Sequence, residues 1–200
     1  MHSIETRKKA LRGELRRAVL SAPEGHLSRW SANICKSIEA HPRFQQAQGV
    51  LLFSPLPDEP DIVPLLHRYA QRKRVFLPRV TGSTTMEACL LNHEAALRTG
   101  TFHILEPQGP PLDDCTCIDL VIVPGMAFDA KGFRLGRGRG YYDRFLSRPD
   151  MAQAYKIGVC FPIQYLSSLP HEEWDARMDE VIAGYEARYL DQINPNLKSK

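Results

Sequence analysis

Between Ile118 and Val123 the chain runs Ile-Asp-Leu-Val-Ile-Val and then breaks at Pro124-Gly125. A short β-branched run bounded by proline and glycine predicts a buried strand, and it is far too short to span a bilayer. A glycine-rich loop follows from Gly132 to Gly140, and a helix is expected from about Tyr141 through Leu146. Strand, loop and helix in that order favour a parallel sheet with helical crossovers.

The rest of the chain repeats this alternation. Gly49 to Ser54 reads as a buried strand, Pro55 to Pro60 as a turn, and Asp61 as the cap of a helix through Leu65, Leu66 and Tyr69. Arg74 to Leu77 predicts a strand that Pro78 should stop. Met86 to Leu91, Phe102 to Leu105, Tyr155 to Phe161 and Val181-Ile182 are further strand candidates. Two helices precede them. The first covers Ser3 to Leu20, with apolar residues at Ile4, Leu11, Leu15 and Val19; the second carries Leu27, Trp30, Ile34 and Ile38 and ends at His41-Pro42. Ser21-Ala22-Pro23-Glu24 resembles a capping box for that second helix. The pattern predicts one α/β domain over residues 1–200. It is a three-layer fold, Rossmann-like in layout, with a mostly parallel central sheet flanked by helices. The polar stretch 192–200 is expected to fray.

A net charge of +3 argues against a polyelectrolyte binder, yet the cations are uneven. Arg7, Lys8, Lys9, Arg12, Arg16 and Arg17 crowd the first helix, and Arg134, Arg137, Arg139 and Arg144 crowd the loop. Lys8 and Arg12 are one helical turn apart on one face. From spacing alone that face reads as a solvated surface. Five cysteines without framework spacing read as reduced thiols of a cytoplasmic protein, and Cys115-Thr-Cys117 lacks the partners a metal site needs. The basic N-terminus has no apolar core of a signal peptide. The seven histidines share no spacing, and no serine or cysteine triad emerges.

The chemistry concentrates in Arg134-Leu135-Gly136-Arg137-Gly138-Arg139-Gly140-Tyr141-Tyr142-Asp143. Alternating glycines permit positive φ and close approach of backbone amides to a ligand. Such amides form an anion nest, and the following helix start adds its positive end. Arg137 and Arg139 can add charge-assisted hydrogen bonds to phosphate oxygens. Asp143 beside a polyphosphate calls for a bridging Mg2+; otherwise it is a helix-start charge favoured by the dipole. The loop could also be a plain Gly/Arg turn or a nucleic-acid-binding segment. It is neither a Walker motif nor a dinucleotide fingerprint.

Pro124-Gly125-Met126-Ala127-Phe128-Asp129, Gly132 and the run from Arg134 to Asp143 together resemble the central motif of the 5-formyltetrahydrofolate cyclo-ligase family, the methenyltetrahydrofolate synthetases. Lys8 to Leu15, Ser54 to Glu59, Leu77-Pro78-Arg79, Ile104 to Pro107, Trp174-Asp175 and Met178 to Val181 resemble that family in place. The resemblance implies an ATP- and Mg2+-dependent closure of 5-formyltetrahydrofolate to 5,10-methenyltetrahydrofolate, with release of ADP and phosphate. It implies ATP contacts at Lys8, Arg12, Arg134, Gly136, Arg137, Gly138, Arg139, Gly140, Tyr141 and Tyr142. Folate contacts are implied at Ser54 and Glu59 and along Arg137, Gly138, Arg139, Gly140 and Tyr141. Catalytic roles fall to Arg137, Arg139 and Tyr142, and magnesium ligation to Asp143 and Asp179. The implied partners are these two small molecules, with no nucleic acid, membrane or obligate protein partner. The alternatives are another ATP-dependent transferase or kinase, a nucleic-acid-binding module, and a relative that binds without turnover.

Overall fold

The computed structural model describes residues 3–91, 97–99 and 105–185. Five helices occur among them: α1 Ile4–Leu20, α2 His26–Ala40, α3 Pro42–Gln46, α4 Val63–Tyr69 and α5 Tyr141–Leu146. The strands are β1 Gly49–Leu51, β2 Arg74–Val80, β3 Met86–Leu90, β4 Leu97–Thr99, β5 Leu105–Pro107 and β6 Leu120–Pro124. They continue with β7 Ala127–Asp129, β8 Arg134–Leu135, β9 Tyr155–Cys160, β10 Tyr165–Leu166 and β11 Glu180–Ala183. Residues 102–104 of one expected strand and the polar tail 192–200 lie outside the described residues.

The central sheet has the order β11-β9-β6-β1-β2-β3. All its pairings are parallel except β2 with β3, as a mostly parallel sheet requires. Successive side chains of a strand face opposite ways. Val50 and Leu52 therefore enter one core with Ile34, Ile38, Phe44 and Leu65, beneath α2, α3 and α4. Leu51, Phe76, Val121 and Val123 enter the other with Phe145, Leu146 and Met151, beneath α5. The result is three layers.

Local expectations change at Pro78 and Ser21. Pro78 does not stop β2, which pairs Pro78 with Ala88 and runs on to Val80. The Phe76 carbonyl accepts from Leu52 N–H, so Pro78, two residues on, faces the same side, where β1 has already ended. No ladder bond is lost there. Ser21 does not start α2 either. Its N–H and hydroxyl bond the Arg17 carbonyl and so close α1, while α2 begins after Gly25 at φ 75°. Ser21 is in reach of the last carbonyls of α1, which needed a partner first.

A second sheet, β10-β7-β8, places the Gly/Arg segment. Arg134-Leu135 is not loop but strand, paired antiparallel with Ala127-Phe128. Asp129 ties the connecting turn by accepting the N–H groups of Lys131, Phe133 and Leu169. Leu15 of α1 packs with Met126, Leu135 and Leu169 on this sheet, which brings the N-terminal helix to the loop.

The two sheets meet at Phe128, which is 0% exposed. A Cβ on Gly158 in β9 would stand 2.4 Å from the Phe128 ring. Gly158→Ala should therefore lower stability by about 1–3 kcal/mol, as overpacking of a filled core does. A urea midpoint equal to that of the wild type would show that the ring yields freely.

Candidate active site

Ligand sites of open parallel sheets lie beyond the carboxyl ends of the strands. Here a cavity of about 640 Å³ opens at that edge, past β1, β2 and β6. Phe53, Leu56, Pro78, Val80, Met86 and Met126 give it apolar walls. Arg12 and Arg16 enter from α1, and Arg134, Arg137 and Arg139 from the Gly/Arg segment. Glu59 and Glu106 are its acidic members.

The cationic rim is held by the backbone. Arg12 Nε donates to the Gly136 carbonyl at 2.8 Å. Gly138 and Gly140 adopt φ 97° and 66°, left-handed values that a side chain disfavours. A Cβ on Gly138 would also lie 3.5 Å from the Arg12 guanidinium. The loop is anchored on the far side by Tyr141, whose hydroxyl donates to the Gly82 carbonyl at 3.2 Å, and by Arg144 Nε to the Thr84 carbonyl.

Arg137 is braced by two acids. Its Nε donates to Glu59 at 3.0 Å, and its terminal nitrogens donate to both Asp58 oxygens at 3.2 and 2.5 Å. The second Glu59 oxygen accepts Leu56 N–H at 3.0 Å. Burial raises the Glu59 carboxyl above its ordinary range, and the Arg137 charge opposes that rise. Burial and the Glu59 charge also push the Tyr142 phenol upward, with the Arg134 charge opposing, so its hydroxyl stays protonated.

Arg134, 6% exposed, donates to Asp143 at 2.9 Å and to the Pro124 carbonyl at 3.3 Å. Its guanidinium lies 5.4 Å from the centre of the Tyr142 ring, a cation–π distance. Arg134 Nε is buried without a hydrogen-bond partner. Asp143 also accepts Ala176 N–H at 3.3 Å.

Of the residues expected at the site, Arg12, Ser54, Glu59, Arg134, Arg137, Arg139, Gly140, Tyr141 and Tyr142 line the cavity. Gly136, Gly138 and Asp143 flank it through the contacts above. Lys8 does not join them. It is 5% exposed, and its Nζ is bound to Asp175 at 2.5 Å and Glu172 at 3.4 Å. Asp179 also stands apart, because its carboxylate accepts Lys156 N–H at 2.7 Å. Lys156 pairs with Val121, near the start of β6, whereas Arg134 reaches Asp143 from the Pro124 end. Those two register positions are separated by about 10 Å along the strand. The Asp179 carboxylate is thus engaged by the main chain of β9, and that of Asp143 by Arg134 and the Ala176 N–H.

Sequence reading passed over two cavity residues, Arg16 and Glu106, and one acid that braces a cavity arginine, Asp58. Asp58 was legible as the neighbour of Glu59, and Arg16 as one turn beyond Arg12. The role of Glu106 has no local signal, since a separate strand carries it in. Among the described residues no three His, Cys, Asp or Glu side chains converge on a metal position. Mg2+ is commonly held by one or two carboxylates together with phosphates and waters. Asp143 fits an ion that arrives with a nucleotide.

A parallel sheet that opens on a cavity rimmed by a glycine-punctuated cationic strand and loop defines an α/β protein of the enzyme-like open-sheet type with a cationic edge. The chain belongs to the 5-formyltetrahydrofolate cyclo-ligase family, whose model matches residues 4–184. It is 31% identical over 187 residues to a probable 5-formyltetrahydrofolate cyclo-ligase of Schizosaccharomyces pombe, covering 83% of this chain and 92% of that one. The Mus musculus 5-formyltetrahydrofolate cyclo-ligase is 28% identical over 192 residues, 90% of this chain and 95% of its own. Among solved structures, the 5,10-methenyltetrahydrofolate synthetase of Aquifex aeolicus superposes with a TM-score of 0.79 at 31% identity, covering 90% of each chain. The Mycoplasma pneumoniae structure, at 22% identity and a TM-score of 0.70 over 88% of this chain and 97% of that one, supports the fold. No helix among the described residues is long and apolar enough to cross a membrane.

Proposed function

We propose that this chain converts 5-formyltetrahydrofolate and ATP into 5,10-methenyltetrahydrofolate, ADP and phosphate. The formyl oxygen attacks the γ-phosphorus, and the bond from that phosphorus to the ADP oxygen breaks. N10 then adds to the activated formyl carbon and closes the five-membered ring, its proton passes to solvent, and the carbon–oxygen bond breaks so that the phosphorylated oxygen departs as phosphate. An amide-like oxygen leaves poorly without that phosphorylation. The reaction needs alignment and charge neutralisation more than a protein nucleophile.

The observation that carries this reading is one cavity that joins arginines of α1 and of the Gly/Arg segment to apolar walls and a buried acid. Arg12, Arg137 and Arg139, with the amides around Gly136, Gly138 and Gly140, would receive the triphosphate. Mg2+ would be held by Asp143 with phosphate oxygens and would offset their charge. Phe53, Met126, Tyr141 and Tyr142 would flank the pterin, with Ser54 and Glu59 at its folate side. Glu59 and Asp58 hold Arg137 in position before the nucleotide arrives. Five free cysteines, four of them buried, agree with a reducing, cytoplasmic setting.

The test follows methenyltetrahydrofolate by its absorbance, with and without ATP and Mg2+. Product is expected only when folate, ATP and Mg2+ are all present. ATP cleavage without folate, or no product in the full mixture, would reject the reading.

A further inference from the structure

We infer that Glu106 reads the hydrogen-bond-donating edge of the substrate's pteridine ring and so sets the folate specificity of this cavity. The inference rests on the folate reading above. Glu106 lies in β5, opposite Arg98 of β4, and is 6% exposed. Its side chain lines the cavity, and its Oε1 is buried with no hydrogen-bond partner. A buried acceptor without a partner is unfavourable, and a ligand that supplies a donor relieves it.

The other acids near the cavity are already engaged. Asp58 receives Arg137 on both oxygens, and Glu59 receives Arg137 and Leu56 N–H. Arg79, one residue from the lining Pro78, spends its guanidinium on the carbonyls of Pro107 and Gly109 and on Glu87. Glu106 is therefore the acid with a buried, unpartnered oxygen among lining residues that include the apolar Pro78, Val80 and Met86. Such a wall suits a flat ring with N–H donors at its edge.

The chemistry of the substrates selects the occupant. Triphosphate oxygens and the glutamate carboxylates of a folate would be repelled by this group. The 2-amino group and the neighbouring ring N–H of the pteridine form two parallel donors, which match a carboxylate as a guanidinium does. The arginines enter from α1 and the Gly/Arg segment, whereas Glu106 enters from β5. The folate is thus oriented with its pteridine edge on β5 and its formyl group towards the arginines.

The experiment measures binding of 5-formyltetrahydrofolate to the full chain by calorimetry without ATP, and steady-state constants with it. Glu106→Gln keeps the shape but replaces one acceptor with a donor. It should weaken folate binding and raise the folate KM by roughly 10- to 100-fold, with the ATP KM changed less than about twofold. The wild type should discriminate against a 2-desamino-2-methyl folate analogue by a similar factor, and Glu106→Gln should lose most of that discrimination. The wild-type comparison stands even if the variant folds poorly. Equal folate affinity in a folded Glu106→Gln, or no discrimination by the wild type, overturns the inference while leaving the enzymatic reading in place. A wild type that binds no folate overturns both.

Discussion

Arg137→Ala should lower kcat/KM for ring closure by about 10²- to 10³-fold, the loss typical of removing one preorganised donor to developing charge. It should also cost stability. Arg137 is 29% exposed at its side chain, but its partners Asp58 and Glu59 are each only 6% exposed. Truncation leaves two buried carboxylates side by side. The loss should be about 2–3 kcal/mol, less than for a fully buried pair because solvent reaches the guanidinium. Burial already holds Glu59 above the ordinary carboxylate value of 4.5, and Arg137 is the chief opposing charge. Without Arg137 its folded pKa rises further, while the unfolded value stays put. A raised folded pKa adds stability in acid that is lost as pH climbs through it. The stability gap between variant and wild type should therefore be small in acid and widen towards neutral pH. Thermal melts at about pH 5 and about pH 8 would show it; a gap independent of pH would rule out the ion-pair account. Arg137→Lys should not restore activity, since an ammonium cannot fork onto both acids. Full activity in Arg137→Ala would remove this residue from the site.

Asp143→Asn should reduce turnover by about 10²-fold and destabilise the fold by about 3 kcal/mol. The structural part follows from Arg134, whose side chain is 5% exposed and whose charge is answered at 2.9 Å by Asp143. Asparagine keeps an acceptor but removes the compensating charge. The catalytic part follows from the proposed magnesium role. A Mg2+ titration of activity separates the two. If Asp143 helps to hold the ion, half-maximal activity should need about tenfold more Mg2+. An unchanged titration alongside the lost stability would make Asp143 only a brace for Arg134.

Local patterns were legible because their causes are local. The apolar run at Leu120 to Val123 and the face of α2 carrying Ile34 and Ile38 became the elements that their periodicity implies, and of the alternating glycines Gly138 and Gly140, but not Gly136, took positive φ. Errors arose where a neighbour in space decided. Pro78 continues β2 because its missing donor faces a side where β1 has ended. Ser21 was captured by the carbonyls behind it before it could cap the helix ahead. Lys8 and Arg12 share one helix face, yet Arg12 meets Gly136 while Lys8 is buried against Asp175 and Glu172.

The order of residues alone determined the alternation of strands and helices and the anion-seeking character of the stretch from Arg134 to Asp143. Backbone torsions and charge density depend on residues within a few positions of each other. Tertiary structure alone decided which acid meets which cation. It set Asp58 and Glu59 on Arg137, engaged Asp179 with the backbone N–H of Lys156 and not with a side-chain cation, and left a buried Glu106 oxygen without a partner. Those pairings join residues far apart in the chain, and where each strand ends in space determines them; no sequence period encodes that position.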